Sequence, residues 1–369
     1  MPNKKLAFAC RTALGAAIGV TALASMGSAA LAQDRCDDPR VKYAQGEGEL
    51  LVVSSIFETP ETQNAHEDAF KAYWCLGDDF DVKYQISNTP SMIARIEAEV
   101  DAGVPISGDV TTAPFITWLI GARDRGLLMA YDSPEYKHME LPEAIGLNDR
   151  PYWTSDMYMF VPMWNASCPG MEDIKIESWL DLLNPALKGQ MAINDGSQQQ
   201  STALAFANLK ERLPDGFFND LADQDLIITS GSLHGMQMLA SCERPLYAMG
   251  VSADANVEWT KGNDWIRTGI PKEGVMLQEQ STAIFADAPH PNASQLWVDF
   301  LRSEVGQPIF EKNEGRVPGR KGIPSSTPET TPDADTLFEM AFSPDYAALV
   351  RDPEFVRRAQ EEWGSIFIK

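Results

Sequence analysis

The sequence has few basic residues, few histidines and few cysteines. Its 369 residues include 30 Lys and Arg against 53 Asp and Glu, and only 4 His. Nucleic-acid-binding surfaces need clusters of basic side chains, so this composition argues against a nucleic-acid partner. The chain has no Cys-x-x-Cys and no His-x-x-x-His spacing, which argues against a metal site of that kind. We therefore expect neither a bound metal nor another cofactor.

Long apolar segments are missing after the N-terminus. Two lysines precede an apolar run at about residues 13–23, and Ala30-Leu31-Ala32 has the small-x-small pattern of a cleavage site. These features predict a secretory signal peptide over residues 1–32, cut between Ala32 and Gln33, and a periplasmic protein. The alternative is a retained membrane anchor. It is disfavoured because the run is shorter than the roughly 20 apolar residues that a spanning helix needs.

Cysteine is scarce, with 5 residues in the chain. Cys10 lies in the predicted signal peptide, which leaves Cys36, Cys75, Cys168 and Cys242. An even number of cysteines in an exported chain favours disulfides, and three pairings are possible. The pairs Cys36–Cys75 and Cys168–Cys242 are favoured because each pair would then lie within one half of the chain. Free buried thiols are the alternative.

The first half of the chain alternates apolar strands with helices. Strands are predicted at residues 49–54, 80–86 and 109–112, each followed by a helix that starts near a proline. This order predicts an α/β domain with a mostly parallel sheet. Ligands of such sheets bind beyond the carboxyl ends of the strands. Those ends read Ser54-Ser55, Ser87-Asn88-Thr89 and Thr111-Thr112, and Ser91 follows at the start of the second helix. Thr89 is the expected N-cap of that helix.

The stretch from Ser178 to Thr202 repeats this order. It predicts a short amphipathic helix, a strand at 190–193, a polar loop that includes Ser197, and a helix opening at Ser201 and Thr202. Either of these last two hydroxyls could serve only as an N-cap, which is the simpler interpretation. Free backbone N–H groups at such a joint also bind anions.

Two later strands in the second half also end in hydroxyls. The strands at 226–229 and 246–249 lead to Ser230 and Ser252. A second α/β unit is therefore predicted, and a ligand cleft is expected between the two units.

Four segments resemble the periplasmic solute-binding proteins of ABC importers, in the class that contains the bacterial ferric-ion-binding proteins. The segment from Trp179 to Gly189 fits the family pattern W-x-D-L-x-x-P-x-x-K-G. The other three are Gly108-Asp109-Val110, the segment from Ala288 to Gln307, and Gly315-Arg-Val-Pro-Gly-Arg320.

This resemblance implies a type 2 periplasmic binding fold. Such a fold has two α/β lobes, each a mostly parallel sheet flanked by helices, with the ligand cleft between them. Lobe 1 would comprise residues 33–158 plus about 279–325, and lobe 2 residues 159–278 plus about 326–369. The resemblance further implies a monomer that catalyses no reaction and passes a small-molecule ligand to a membrane permease and its ATPase.

The ferric-ion-binding members hold iron with two adjacent tyrosines, a histidine and a glutamate. The matching positions here hold Val251-Ser252, Phe57-Glu58 and Pro114, so the tyrosine pair is missing. Small hydroxyl donors take its place, and with helix N-termini behind them they suit a phosphate, phosphonate, sulfonate or carboxylate. The leading hypothesis is a small organic anion, with an additional amine near Glu58. The predicted ligand-binding residues are Ser55, Glu58, Thr89, Ser91, Thr112, Ser197, Ser201, Thr202, Ser230, Tyr247 and Ser252.

Three alternatives stay open at this point. The protein could import ferric iron through a different ligand set. It could import a polyamine, with aromatic faces supplied by Phe57, Trp153 and Tyr247. It could be an exported enzyme, which is disfavoured because none of its histidines lies in a recognisable catalytic or metal motif.

Overall fold

The computed structural model describes residues 35–57, 59–139, 152–320, 322–352 and 354–368. The predicted signal peptide, Glu58 and the side chain of Trp153 lie outside the described part. Within these ranges, no helix is both long and apolar enough to cross a membrane.

Three parallel strands form the first part of the sheet. β1 (Glu49–Ser54) lies between β2 (Asp81–Ile86) and β3 (Val110–Ala113). Leu50, Val52 and Val53 are fully buried, as expected for an apolar strand covered on both faces. The helices of this part are α1 (Pro39–Glu47), α2 (Pro60–Trp74), α3 (Thr89–Asp101) and α4 (Ile116–Asp124).

A second set of parallel strands forms the other end of the sheet. β5 (Met191–Asn194) lies between β6 (Ile227–Thr229) and β7 (Leu246–Val251). Its helices are α5 (Gln200–Lys210), α6 (Phe217–Ala222), α7 (Ser232–Ala240) and α8 (Ser252–Thr260). The short amphipathic helix predicted after Ser178 is a 3-10 helix over Trp179–Leu183.

Two long antiparallel strands connect these sets. β4 (Tyr152–Asn165) pairs along β9 (Val275–Ile284), β9 pairs with β3, and β4 pairs with β7. The short strands β8 (Ile266–Thr268) and β10 (Ala341–Phe342) pair with β4 and β9. The strand order is therefore β2-β1-β3-β9-β4-β7-β5-β6, and the mixed sheet flanked by helices confirms the predicted α/β class.

The C-terminal helices pack on both halves. They are α9 (Pro291–Arg302), α10 (Gly306–Glu314), α11 (Ala334–Met340), α12 (Tyr346–Arg351) and α13 (Phe355–Phe367). Helix α9 packs on α1 and α10 on α2, whereas α12 packs on α4 and α13 on α5. Because the last two helices contact different halves, the lobe boundaries given above stay a prediction.

A tryptophan of α13 fixes the loop that leads into α5. Trp363 is fully buried, and a Cβ placed on Gly196 would lie 2.7 Å from its ring. No side chain larger than hydrogen fits there without a shift of the ring. The last helix thereby positions the loop before α5, which opens onto the cleft described below.

The structure contains both favoured disulfides. Cys36 pairs with Cys75 and Cys168 with Cys242, with Cα–Cα separations of 5.4 and 5.6 Å. The first disulfide fastens the N-terminal segment to the end of α2. The second ties the end of β4 to the loop before β7. The predicted pairing is confirmed.

Candidate functional site

A cleft of about 670 Å³ lies at the carboxyl ends of the parallel strands, where both halves and the two long strands meet. The first half contributes Ser55, Ile56, Thr59, Thr62, Asn88, Thr89 and Pro114. The long strands, the last turn of α10 and the loop after it contribute Tyr158, Phe160, Gln280, Asn313, Glu314 and Arg316. The second half contributes Asn194, Gln199, Ser201, Thr202, Ser232, Leu233, Met236, Val251, Ala253, Asp254, Val257, Glu258 and Lys261.

Four of the predicted ligand-binding residues line this cleft: Ser55, Thr89, Ser201 and Thr202. Thr89 donates a hydrogen bond from its hydroxyl to Ser55 Oγ at 3.0 Å. The structure therefore brings hydroxyls from both halves to one cavity. Glu58 lies outside the described residues.

Three other predicted residues are buried beneath the cleft and do not line it. Thr112 and Thr282 share a hydrogen bond of 2.8 Å between their hydroxyls. Ser252 Oγ accepts the backbone N–H of Met159 at 2.9 Å. The hydroxyl of Tyr247 lies 3.3 Å from Thr229 Oγ1, and its ring packs against Gly235. Thr112 and Tyr247 thus each connect two strands of the sheet, and Ser252 connects the start of α8 to β4.

The remaining three predicted residues lie outside the cleft lining, Ser91 in the first turn of α3 and the other two in strand-to-helix joints. Ser91 is exposed, and its N–H donates to Asn88 Oδ1 at 2.9 Å. Ser197 donates from its hydroxyl to Asp195 Oδ1 at 2.6 Å. The carbonyl of Ser230 accepts from Gln199 Nε2 at 3.0 Å. The Ser91 and Ser197 hydrogen bonds are local, whereas the Ser230 carbonyl connects two strand-to-helix joints of the second half.

The helices of the first half that open onto the cleft are capped by side chains. Thr59 Oγ1 accepts the N–H of Thr62 at 3.2 Å at the start of α2. Asn88 accepts the N–H of Ser91 at the start of α3, so the cap is Asn88 and the expectation that Thr89 caps this helix is wrong. Helix α4 has no such cap, but only Pro114 in front of it lines the cleft.

The helices of the second half begin at the cleft without side-chain caps. Helix α5 follows Gln199 and α7 follows Gly231, and neither residue makes a capping hydrogen bond. The expectation that Ser201 or Thr202 caps α5 is wrong, since both lie inside the helix. Thr202 is fully buried, and its Oγ1 has no hydrogen-bond partner among the described residues. Uncapped helix starts present N–H groups and a partial positive charge.

Arg316 is the cationic centre of the cleft. The amide of Gln280, oriented with its oxygen towards the guanidinium, accepts from Nη1 at 3.0 Å and from Nη2 at 3.1 Å. Nε lies 3.7 Å from Asp156 Oδ1 and 3.8 Å from Glu314 Oε2, beyond ordinary hydrogen-bond length. The guanidinium carbon lies 5.2 Å from the centre of the Tyr158 ring. Neutral and ionic contacts thus hold Arg316 in place.

Burial sets the protonation of the groups around Arg316. It works against the charge of Arg316 itself, but the carboxylates of Asp156 and Glu314 outweigh it and raise the pKa. Burial raises the pKa of Asp156 to about 6, although Arg316 and Ser155 oppose the shift. Burial also raises the pKa of Tyr158 to about 12, opposed by the charge of Arg316 and by the nearby Ser201 hydroxyl. Tyr158 is therefore close both to Arg316 and to the start of α5.

The cleft also contains carboxylates. Glu258 forms an ion pair with Lys261 at 2.8 Å, and Asp254 lies in the first turn of α8. No group of three or more His, Cys, Asp or Glu that could hold a metal ion occurs in the described ranges. Phe57, one of the aromatic residues considered for a polyamine, is fully buried against His66, Trp297 and Phe310 and does not line the cleft.

None of the four histidines lines the cleft in the described part of the chain. His66 is fully buried among aromatic rings, and this burial lowers its pKa to about 4. His290 Nδ1 lies 2.9 Å from Asp109 Oδ2, at the start of α9. No histidine is thus placed to act as an acid or base on a molecule in the cleft.

Arg316 and Asn194 are two of the polar cleft residues that the sequence analysis missed. Arg316 lies in Gly315-Arg-Val-Pro-Gly-Arg320, one of the four segments that carry the family resemblance, and that segment was the available signal. Asn194 ends β5 at the predicted strand-to-helix joint, and its Oδ1 accepts from Thr229 Oγ1 at 3.1 Å.

Comparison with known proteins agrees with this architecture. A family model described as bacterial extracellular solute-binding protein matches residues 82–313, well over half of the chain. A search of curated proteins returns no match.

Three solved structures with the same fold give the scale of the likeness. The substrate binding protein of an ABC transporter from Agrobacterium tumefaciens has a TM-score of 0.70 at 14% identity, covering 88% of this chain and 97% of that one. AfuA from Actinobacillus pleuropneumoniae, with exogenous fructose-6-phosphate bound, has a TM-score of 0.65 at 20% identity, covering 87% of this chain and 99% of that one. Iron-bound HitA from Pseudomonas aeruginosa has a TM-score of 0.65 at 18% identity, covering 86% of this chain and 99% of that one. At these identities the likeness establishes the fold.

Proposed function

Since this chain belongs to the bacterial extracellular solute-binding protein family, we propose that it captures a small organic anion in the periplasm and delivers it to the permease of an ABC importer. The proposed ligand carries a phosphonate, phosphate or carboxylate group. The ligand is released from the protein without any chemical change to the ligand. The mature protein would begin at Gln33 and act as a monomer.

The observation that carries this proposal is the position of Arg316 beside the uncapped start of α5. Arg316, Tyr158 and Ser201 all line the cleft, and Tyr158 is close to both the guanidinium and Ser201. The buried hydroxyl of Thr202 supplies a further donor there. Arginine and helix N–H groups both bind oxyanions well, because the hydrogen bonds are charge-assisted. We infer that the anionic group lies between Arg316 and the first turn of α5.

Hydroxyls of the first half would complete the site. Ser55 and Thr89 line the opposite wall and are already hydrogen-bonded to each other. Neutral donors can contact an oxyanion or the polar part of its organic body without adding charge. We propose that these two residues contribute the contacts from the first half.

A second candidate ligand is an amine. The carboxylates of Asp254, Glu258 and Glu314 line the cleft, although Lys261 and Arg316 lie near two of them. A polyamine or an aminated anion would use this acidic side. Ferric iron is a weaker candidate, because a hard cation needs several anionic oxygen ligands close together, and no such cluster is found in the described ranges.

Native mass spectrometry of the protein purified from its own periplasm is the first test. A retained organic mass bearing an acidic group supports the proposal, and a retained iron mass would overturn it. Isothermal titration with methylphosphonate, inorganic phosphate, acetate, spermidine and ferric citrate then ranks the ligand classes. Binding of spermidine with no binding of any oxyanion would replace the anion by the amine. Recovery of every ligand with its mass unchanged would support the absence of catalysis.

A further inference from the structure

A large aliphatic side chain is exposed inside the cleft. Leu233, in the first turn of α7, is 75% exposed, although it lines the cavity. Met236 follows on the same face of the helix, since residues three apart are neighbours. Val257 of α8, the next helix along the chain, also lines the cleft, and Met236 and Val257 are half-buried. Leu233, Met236 and Val257, called the apolar wall below, are the large apolar side chains that these two helices present to the cleft, alongside the charged residues Asp254 and Glu258 of α8 and Lys261 just after it.

The cleft is larger than an oxyanion requires. A volume of about 670 Å³ is in the range of pockets that hold organic ligands of many atoms. With the anionic group at Arg316 and the start of α5, the apolar side chains that α7 and α8 present between their polar residues are available to the rest of the ligand. A wholly polar ligand would gain nothing from burying Leu233, whereas an apolar one would remove that side chain from water.

We propose, building on the anion-binding function above, that the ligand is an organic anion with an apolar body, such as an alkyl or aryl phosphonate, phosphate ester or carboxylate. Its anionic group lies at Arg316 and α5, and its hydrocarbon part lies against Leu233, Met236 and Val257. Each methylene buried there tightens binding about fourfold, until the chain fills the wall. Leu233 is then the residue that selects ligands by the length of their apolar part.

An alternative use of Leu233 makes a different prediction. If Leu233 only packs against the opposite wall when the lobes close, its loss weakens every ligand by the same factor. If it contacts the ligand body, its loss weakens long ligands and spares short ones. The dependence on chain length therefore distinguishes the two roles.

The test is isothermal titration of the full mature chain with two series: methyl-, ethyl-, propyl-, butyl- and phenylphosphonate, and acetate to hexanoate. We expect affinity to rise along at least one series by about fourfold per methylene. In Leu233→Ser that rise is expected to flatten, with butylphosphonate weakened at least tenfold and methylphosphonate less than twofold. Leu180→Ser is the matched control, since Leu180 is also exposed, at 40%, and lies outside the cleft.

The outcomes separate this inference from the function it rests on. Binding of methylphosphonate or acetate without any gain along the series overturns the apolar body and leaves the anion site standing. Equal weakening of all chain lengths in Leu233→Ser overturns it too and assigns Leu233 to lobe closure. Failure of both series at every length removes the anion-binding function and this inference with it. Thermal unfolding of both variants checks that the fold is intact.

Discussion

The two walls of the cleft differ in how their helix N-termini are satisfied. In the first half, Thr59 and Asn88 cap α2 and α3 with their own side chains. In the second half, α5 and α7 begin at the same cavity with no capping side chain. A cap typically contributes about 1 kcal/mol to stability. The wall built by the first half, the first wall, thus uses its polar groups for the fold. The wall built by the second half, the second wall, leaves its helix N–H groups available to a ligand.

This difference explains why the second wall, with Arg316, is the stronger candidate for anion binding. Functional sites often depart from the local rules that stabilise the rest of a protein. Here the departure is specific, because the hydroxyl of Thr202 is buried and has no partner within the described ranges. The following predictions test whether the two walls have these separate roles.

The largest effect is expected from Arg316→Gln. Removing the guanidinium takes away the only charge-assisted donor that we assign to the anion, so affinity for the tightest-binding oxyanion should fall about 100-fold. Arg316→Lys keeps the charge and loses the planar donor pair, so its affinity for the same oxyanion should fall about tenfold. Isothermal titration measures both. Arg358→Gln is the control, because Arg358 is an exposed arginine of α13 that forms an ion pair with Asp352. A loss below threefold in Arg316→Gln would place the anion elsewhere.

Gln199→Asp should give α5 a side-chain N-cap, like those of α2 and α3. A carboxylate at the N-cap of α5 would accept the free N–H groups and raise the free energy of unfolding by about 1 kcal/mol. The same carboxylate would repel an incoming anion, so affinity should fall about 30-fold. Urea denaturation and titration measure the two effects. Gln199→Asn, a neutral cap, controls for the charge. A stabilised variant with unchanged affinity would show that the anion does not contact α5.

A smaller effect is expected from the carboxyl group beside Arg316. Burial raises the pKa of Asp156 to about 6, and a bound anion would raise it further by repulsion. The anion therefore binds more tightly to the protonated form, and affinity should fall about tenfold as pH rises from about 6 to 8. Asp156→Asn should remove most of this dependence. Comparing variant and parent at each pH cancels the titration of the ligand itself. The same slope in both proteins would contradict the prediction.

The sequence predicted the strands better than the directions of their side chains. An apolar run identified β1 with the bounds that the structure has, because burial on both faces leaves a continuous pattern. Thr112, Tyr247 and Ser252 were expected in the cleft for their chemistry, yet they face the interior. Neighbouring residues of a strand point to opposite faces, so an error of one position exchanges cleft for core.

Arg316 shows a second limit of prediction from sequence. It reaches the cleft from the loop after α10, far along the chain from the strands that it approaches. Only the tertiary packing of the long strands brings Asp156 and Gln280 to it, and no local pattern encodes that packing. The disulfides were predictable because each pair joins elements of one half of the chain, where the number of possible pairings was small.

The smallest effect on affinity is expected on the first wall. Asn88→Ala removes the cap of α3 and should lower the free energy of unfolding by about 1 kcal/mol, because the N–H of Ser91 loses its acceptor. Affinity should change by no more than about threefold, since the amide is already engaged by its own helix and contributes little to a ligand. Urea denaturation and titration of the same preparation measure both quantities. A tenfold loss of affinity would show that capped and uncapped helix starts contribute alike. The contrast between the walls would then reflect chain geometry rather than a division between folding and binding.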